Sequence, residues 1–169
     1  LSTLIYTMKH IPNMAEKTIR WPGHAEKIKV LRELGFFNTN PVKVNDENIT
    51  PRDLSIKLFS DKLQMKEDDK DLTILIVDVI GLKENTQIHC NYRMVDYYDP
   101  KEKVTSMGRT SGFPCAIMAR MLVKGDVNGP GVIPPELALP PSKFEEFTRE
   151  LAKRDIIIQE TITALKSLS

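Results

Sequence analysis

Arg20, His24, Thr110 and Ser111 are the side chains of this sequence whose types and settings could do chemistry on a small charged molecule. Arg20 stands ahead of Trp21-Pro22-Gly23, so it is expected at the end of a short extended piece just before a turn. There a planar, permanently charged fork can grip a carboxylate at two points. The plainer alternative is a surface arginine paired with Glu16 or Glu26. Thr110 and Ser111 precede Gly112 and Pro114, which read as a helix start, where free backbone N–H groups and the helix dipole favour an anion. Ordinary N-capping would use the same residues. His24 carries an imidazole, the side chain suited to proton shuttling, or it could simply close the turn after Gly23.

Other residues carry weaker signals. His89, Asn91 and Arg93 share one face of an expected strand and could line a pocket or merely be solvated. Asp78 interrupts an apolar run, so it needs either a basic partner or a place where the strand surfaces. Cys115 sits in a helical apolar run and reads as core rather than nucleophile. The two cysteines, Cys90 and Cys115, form no close-spaced pair and border no His cluster, which gives no case for a zinc site or a disulfide framework. G-x-G-x-x-G, P-loop, H-E-x-x-H and G-x-S-x-G patterns are all absent. The chain alone is therefore expected to bind neither a dinucleotide nor a metal.

The elements that must position these residues can be read from periodicity. Residues 1–8 have strand-like composition, and residues 17–21 read as a second short extended piece, ended by Pro22. Ala25, Ile28, Leu31 and Leu34 repeat at helical spacing up to Gly35, predicting an amphipathic helix packed on a sheet. Thr50-Pro51 opens a second helix that runs to about Met65. Residues 72–80 are apolar on both alternating faces and β-branched, which suits a strand covered on both sides, central in a sheet or covered by another subunit. After turn chemistry at 81–86, residues 87–94 alternate as a half-buried strand, so the two form a hairpin. A largely buried helix is expected over 112–124, entered through Pro114 and stopped by Gly125. A Pro/Gly-rich loop over 128–141, a capped helix over 142–154 and a strand over 156–162 complete the chain. This mixture of hairpins and helices predicts an α+β fold, a mainly antiparallel mixed sheet with helices packed on one face, in a single domain.

Bulk properties narrow the function. With 169 residues, 41% of them hydrophobic, the chain is long enough to close a core of its own. Its 24 basic and 23 acidic residues nearly cancel, which leaves no general field for nucleic acid or an anionic membrane, and no basic patch with interleaved aromatics appears. No apolar stretch reaches the twenty or so residues that a bilayer requires. Cysteine usage fits a reduced, cytoplasmic setting. The opening at Leu1, with neither initiator Met nor signal features, suggests a segment of something longer.

Three stretches carry a more specific signal: residues 17–37, with the Arg20-Trp-Pro-Gly-His24 turn leading into a helix; Arg109-Thr-Ser-Gly-Phe-Pro-Cys-Ala-Ile117; and Gly129-Pro-Gly-Val-Ile-Pro-Pro-Glu136. In order and spacing they resemble the C-terminal domain of the saccharopine dehydrogenase and lysine 6-dehydrogenase-like family, whose sheet is of the glyceraldehyde-3-phosphate dehydrogenase-like kind. The resemblance implies an NAD(P)-dependent oxidoreductase, with NAD or NADP carried by a Rossmann domain absent from this chain. It implies a substrate such as saccharopine or a lysine-like amino acid, oxidised or reduced at a C–N bond, and a homodimer formed through the part seen here. Arg20 matches an arginine that the family uses near substrate. The isolated chain is then expected to be inactive. A reading of another class is a non-catalytic module that binds amino acid or dimerises, with the apolar strand around residues 72–80 as its interface.

Overall fold

The computed structural model describes residues 2–67, 69–127 and 129–165. In chain order the elements are α1 (Leu4–Thr7), α2 (His24–Glu33), the strands β1 (Val42–Val44) and β2 (Glu47–Ile49), α3 (Pro51–Leu63), the long strands β3 (Leu72–Lys83) and β4 (Thr86–Tyr97), α4 (Ser106–Lys124), α5 (Pro135–Ala138), a 3-10 turn (Pro141–Lys143), α6 (Phe144–Ala152) and β5 (Gln159–Leu165). The fold is α+β, and every strand pair is antiparallel. The chain divides into two compact units, one of Leu1–Glu16 with Lys70–Ser169, the other of Lys17–Asp69.

The larger unit is organised by the β3–β4 hairpin. Its turn is Glu84-Asn85 alone, with φ of 51° and 63° at the two residues, the primed geometry whose twist matches that of the flanking strands. Gly81 therefore lies within β3, and the turn is shorter than residues 81–86. β5 pairs along the other side of β4, giving the order β3-β4-β5. α4 and α6 both pack on the sheet face that carries Thr73, Tyr92, Met94 and Asp96. Ser106 Oγ lies 2.8 Å from Thr73 Oγ1, and the rings of Tyr92 and Phe144 meet edge to face at 6.3 Å. The core lies between that face and the helices: Met94, Ile117, Met121, Leu151 and Ile156 are buried together. One-face helix packing thus follows the periodicity.

Several boundaries differ from the sequence reading, each for a physical reason. β3 is an edge strand and not a central one, and all its residues except Thr73 are exposed. Apolar composition on both faces records a demand for cover without saying what provides it. α4 begins six residues earlier than Gly112, because Thr105 caps it through a hydrogen bond from Gly108 N to Thr105 Oγ1 at 3.0 Å; Pro114 is accommodated inside. Only Ile117 and Met121 of its apolar run are buried, and Cys115 is exposed because it lies off the stripe formed by Arg109, Phe113, Ile117 and Met121. Residues 2–8 contain the single helical turn α1 instead of a strand, tied down where Thr7 Oγ1 donates to Glu136 at 2.8 Å. After α6, Asp155 turns at φ 59°, which sends Ile156 into the core and delays β5 to Gln159.

In the smaller unit α2 ends as expected, with Gly35 at φ 83°. α3 opens on Thr50-Pro51 and stops at Leu63, with Gln64 as its C-cap. Ser55 is buried, and its hydroxyl donates to the Phe36 carbonyl at 2.8 Å, which ties α3 to the chain leaving α2. The β1–β2 hairpin went unread in the sequence because each strand is only three residues long. Two residues of the apolar stripe of α2 stay exposed, Ile28 at 40% and Leu34 at 69%. Residues 17–21 form no strand ladder.

Candidate functional site

The start of α4 gathers Asp71, Asp96, Asp99 and Arg109 into one connected set of charged groups. A helix leaves its first amides without internal partners, and they attract an anion. Here the anion is built in. Asp71, at the approach to β3, accepts from Ser106 N at 2.6 Å through Oδ1 and from Met107 N at 2.9 Å through Oδ2. Thr105 Oγ1 takes Gly108 N, and the Thr105 carbonyl takes Arg109 N at 2.9 Å.

Thr110 and Ser111 therefore lie in the second turn, not at a helix start. Their hydroxyls are turned back along the helix, Thr110 Oγ1 donating to the Ser106 carbonyl at 2.8 Å and Ser111 Oγ standing 3.8 Å from Met107 Sδ. The free amides that would have made a carboxylate site of them are absent from these positions. The sequence reading placed the helix start at Gly112 because Gly112 and Pro114 look like an entry, and because Asp71 is thirty-five residues away from the helix it caps.

One turn in, Arg109 is buried and held through all three of its guanidinium nitrogens. Nε lies 3.3 Å from both oxygens of Asp96, Nη1 donates to Asp99 at 2.9 Å, and Nη2 donates to the Arg154 carbonyl at 2.6 Å. The planar guanidinium also lies 5.8 Å from the centroid of Phe113, whose ring is shared with Arg154 at 5.5 Å. Asp99 is held below the usual carboxylate range, chiefly by the amide of Glu102, then by that of Lys101 and the charge of Arg109, against some opposing burial. Arg109 opens one of the motif-like stretches, yet it acts as a clamp between β4, the loop after it and the end of α6. All three of its guanidinium nitrogens are committed to that clamp.

On the opposite sheet face, Asp78 accepts from Asn91 Nδ2 at 2.8 Å and faces His89 Nε2 at 2.7 Å. The hydrogen bonds from Asn91 and His89 hold its carboxyl below the ordinary range. Asp78 is thus partnered and exposed at once. Register explains the arrangement: Asp78 stands directly opposite Asn91, and His89 lies on the diagonal, opposite Ile80. Tyr92, on the helix side, donates to Glu160, which pushes its phenol up to about 12.

Arg20 and His24 belong to the smaller unit. Both are exposed, and among the described residues of that unit neither pairs with a carboxylate, Glu26 included. His24 is the first residue of α2, its amide bonded to the Trp21 carbonyl at 3.1 Å across the turn. Gly23, at φ 80°, makes that turn. Among the described residues no group of His, Cys, Asp and Glu could hold a metal ion, and no helix is long and apolar enough to cross a membrane.

These features, an antiparallel hairpin sheet backed by two helices and a smaller unit bearing an arginine ahead of a Pro-Gly turn, agree with a match to the saccharopine dehydrogenase C-terminal domain family over residues 3–157. The chain belongs to that family. It is also 28% identical over 106 residues to saccharopine dehydrogenase (NADP(+), L-glutamate-forming) of Schizosaccharomyces pombe, a stretch that is 62% of this chain and 23% of that protein. The chain thus spans under a quarter of the length of the curated relative it matches.

Proposed function

We propose that residues 1–169 form the substrate-binding and dimerisation domain of a cytoplasmic NAD(P)-dependent oxidoreductase that acts on the C–N bond of a lysine-derived amino acid such as saccharopine. The observation that supports it most is the family match across residues 3–157, which takes in both compact units and therefore Arg20 as well as α4. The name of the yeast relative adds the substrate class and NADP. The residues present here do not fit a dinucleotide: the start of α4, where a pyrophosphate could rest, is filled by the Asp71 carboxylate. NAD or NADP is accordingly assigned to a Rossmann part outside this chain, where the nicotinamide supplies the hydride chemistry.

In this reading the chain places the substrate. Arg20 grips a substrate carboxylate: it is exposed, and its fork is not spent on a carboxylate of its own unit. His24, four residues on, is the nearby group able to hold a proton. Thr110 and Ser111 stay in the assignment through the family resemblance alone, as hydroxyls on the flank of α4. In the oxidoreductase containing this chain, Arg20→Ala should raise KM by about 10- to 100-fold, as expected for losing a charged hydrogen-bonded contact. An unchanged KM removes the assignment.

A non-catalytic module is the second reading, favoured by the exposed apolar edge of β3. Titration calorimetry of the chain with saccharopine and with glutamate, alongside activity of the complete enzyme, separates the two: a module binds amino acid in the absence of any turnover.

A further inference from the structure

We infer that two copies of this chain pair edge to edge through β3, antiparallel and in one register, with Val77 of each copy on the twofold axis. The inference rests on the dimerising part of the proposed function and adds the surface and its alignment.

Among the described residues β3 is an edge strand, twelve residues long. Soluble proteins ordinarily protect such an edge with proline, inward charges or a bulge. β3 has no proline and pairs with β4 without a bulge. Its single mid-strand charge, Asp78, is already tied to His89 and Asn91 of the same copy. Ile74, Leu75, Ile76, Val77, Val79 and Ile80 are each between 39% and 64% exposed, so apolar surface flanks the edge on both faces.

A twofold axis restricts the pairing. Backbone groups of alternate residues point outward along an edge, so only registers that oppose residues of the same orientation can bond. With Val77 on the axis, Leu75 meets Val79 of the second copy, Ile74 meets Ile80, and Leu72 meets Leu82. Just beyond them Asp71 meets Lys83, and Lys70 meets Glu84, each pair occurring twice by symmetry. Asp71 already gives both oxygens to the first amides of α4, so the pair of Lys70 with Glu84 carries the charge match at the two ends of the seam. The neighbouring registers lose this agreement: one sets Asp78 opposite Asp78, a like-charge pair that destabilises, and the other sets Leu82 opposite Lys70.

The hairpin turn fixes which amides are free. In a two-residue primed turn such as Glu84-Asn85, the closing pair Lys83–Thr86 is of the hydrogen-bonded kind. Counting back, the even-numbered residues of β3 turn their N–H and C=O away from β4. Val77 and its symmetry mate would then form a non-bonded pair with Cα atoms about 4.5 Å apart, within disulfide reach.

The test uses the full chain with Cys90→Ser and Cys115→Ser, followed by sedimentation and mild oxidation. The expected result is a twofold mass in solution, a covalent dimer from Val77→Cys alone, and none from Asp78→Cys alone, whereas Ile76→Cys mixed with Asp78→Cys cross-links. Ile76→Pro, which removes an outward N–H at an edge where proline is tolerated, should halve the mass without loss of the circular dichroism of the fold. A dimer that cross-links through Asp78→Cys and not Val77→Cys overturns the register while leaving dimerisation in place. A monomer, with the edge kept for a different partner, overturns both.

Discussion

The guanidinium of Arg109 and the carboxylate of Asp96 form a buried ion pair, Nε standing 3.3 Å from each oxygen, with both side chains more than nine-tenths buried. Removing the cation alone leaves Asp96 charged and uncompensated inside the protein. Arg109→Ala should therefore destabilise the chain by about 3–5 kcal/mol. Replacing both partners, Arg109→Met with Asp96→Leu, should recover much of that loss. Urea denaturation of the two variants checks it, and equal destabilisation in both would show that the pair is not the cause.

Asp71 acts at the start of α4 from a distant point in the chain. Asp71→Ala frees the amides of Ser106 and Met107 and should cost about 1–2 kcal/mol, the scale of a lost cap reinforced by the helix dipole. Asp71→Asn should cost less, since an amide oxygen still accepts. Hydrogen exchange at the first turn of α4 should speed up in the alanine variant while that of β4 changes little.

The acid limb of stability follows from the carboxylates held low. Asp99 has its folded pKa depressed below 3.8 by the amides of Glu102 and Lys101 and by Arg109. Its contribution is thus fully present above about pH 4 and fades as pH falls through the lower folded value. Asp99→Asn should be less stable than the parent at neutral pH, and the two melting curves should converge below pH 3.8. A gap that stays constant with pH would show that charge on Asp99 is not involved.

Tyr92 gives the opposite sign. Its folded pKa, pushed up to about 12 by Glu160 from an ordinary 10.0, means that the protonated phenol is favoured in the fold. The stabilisation is complete below pH 10 and is lost as pH rises from there through 12. Phenolate absorbance should show one of the four tyrosines ionising late, and Glu160→Gln should return it toward the ordinary range.

Local chemistry was legible wherever the signal and its partner are neighbours in sequence. Thr50-Pro51, the Gly35 stop, the β3–β4 hairpin and the stop at Gly125 all follow from residues that act on the next few positions. What could not be read depends on partners far along the chain. The start of α4 is set in part by Asp71, and the role of Arg109 by Asp96, Asp99 and Arg154, so that the capping chemistry of a Thr-Ser pair hid a clamp one residue earlier. β3 shows the same limit. Its composition announces two apolar faces, but whether a strand lies at the centre or at the edge of a sheet is decided by pairing.

Among the described residues the three-stranded sheet has two borders, and β3 is much the more apolar of them. β5 carries Gln159, Glu160, Thr161 and Thr163 with Ile162 the one exposed large apolar residue among them, a composition that mixes poorly with the isoleucines and valines of β3. If β3 of one copy met β5 of the next, every union would leave another β3 open, and growth would run on into a filament. Like meeting like instead ends assembly at two, because each union consumes both hungry borders. The polarity difference between the first and last strands is, in that sense, a stopping rule written into the sheet.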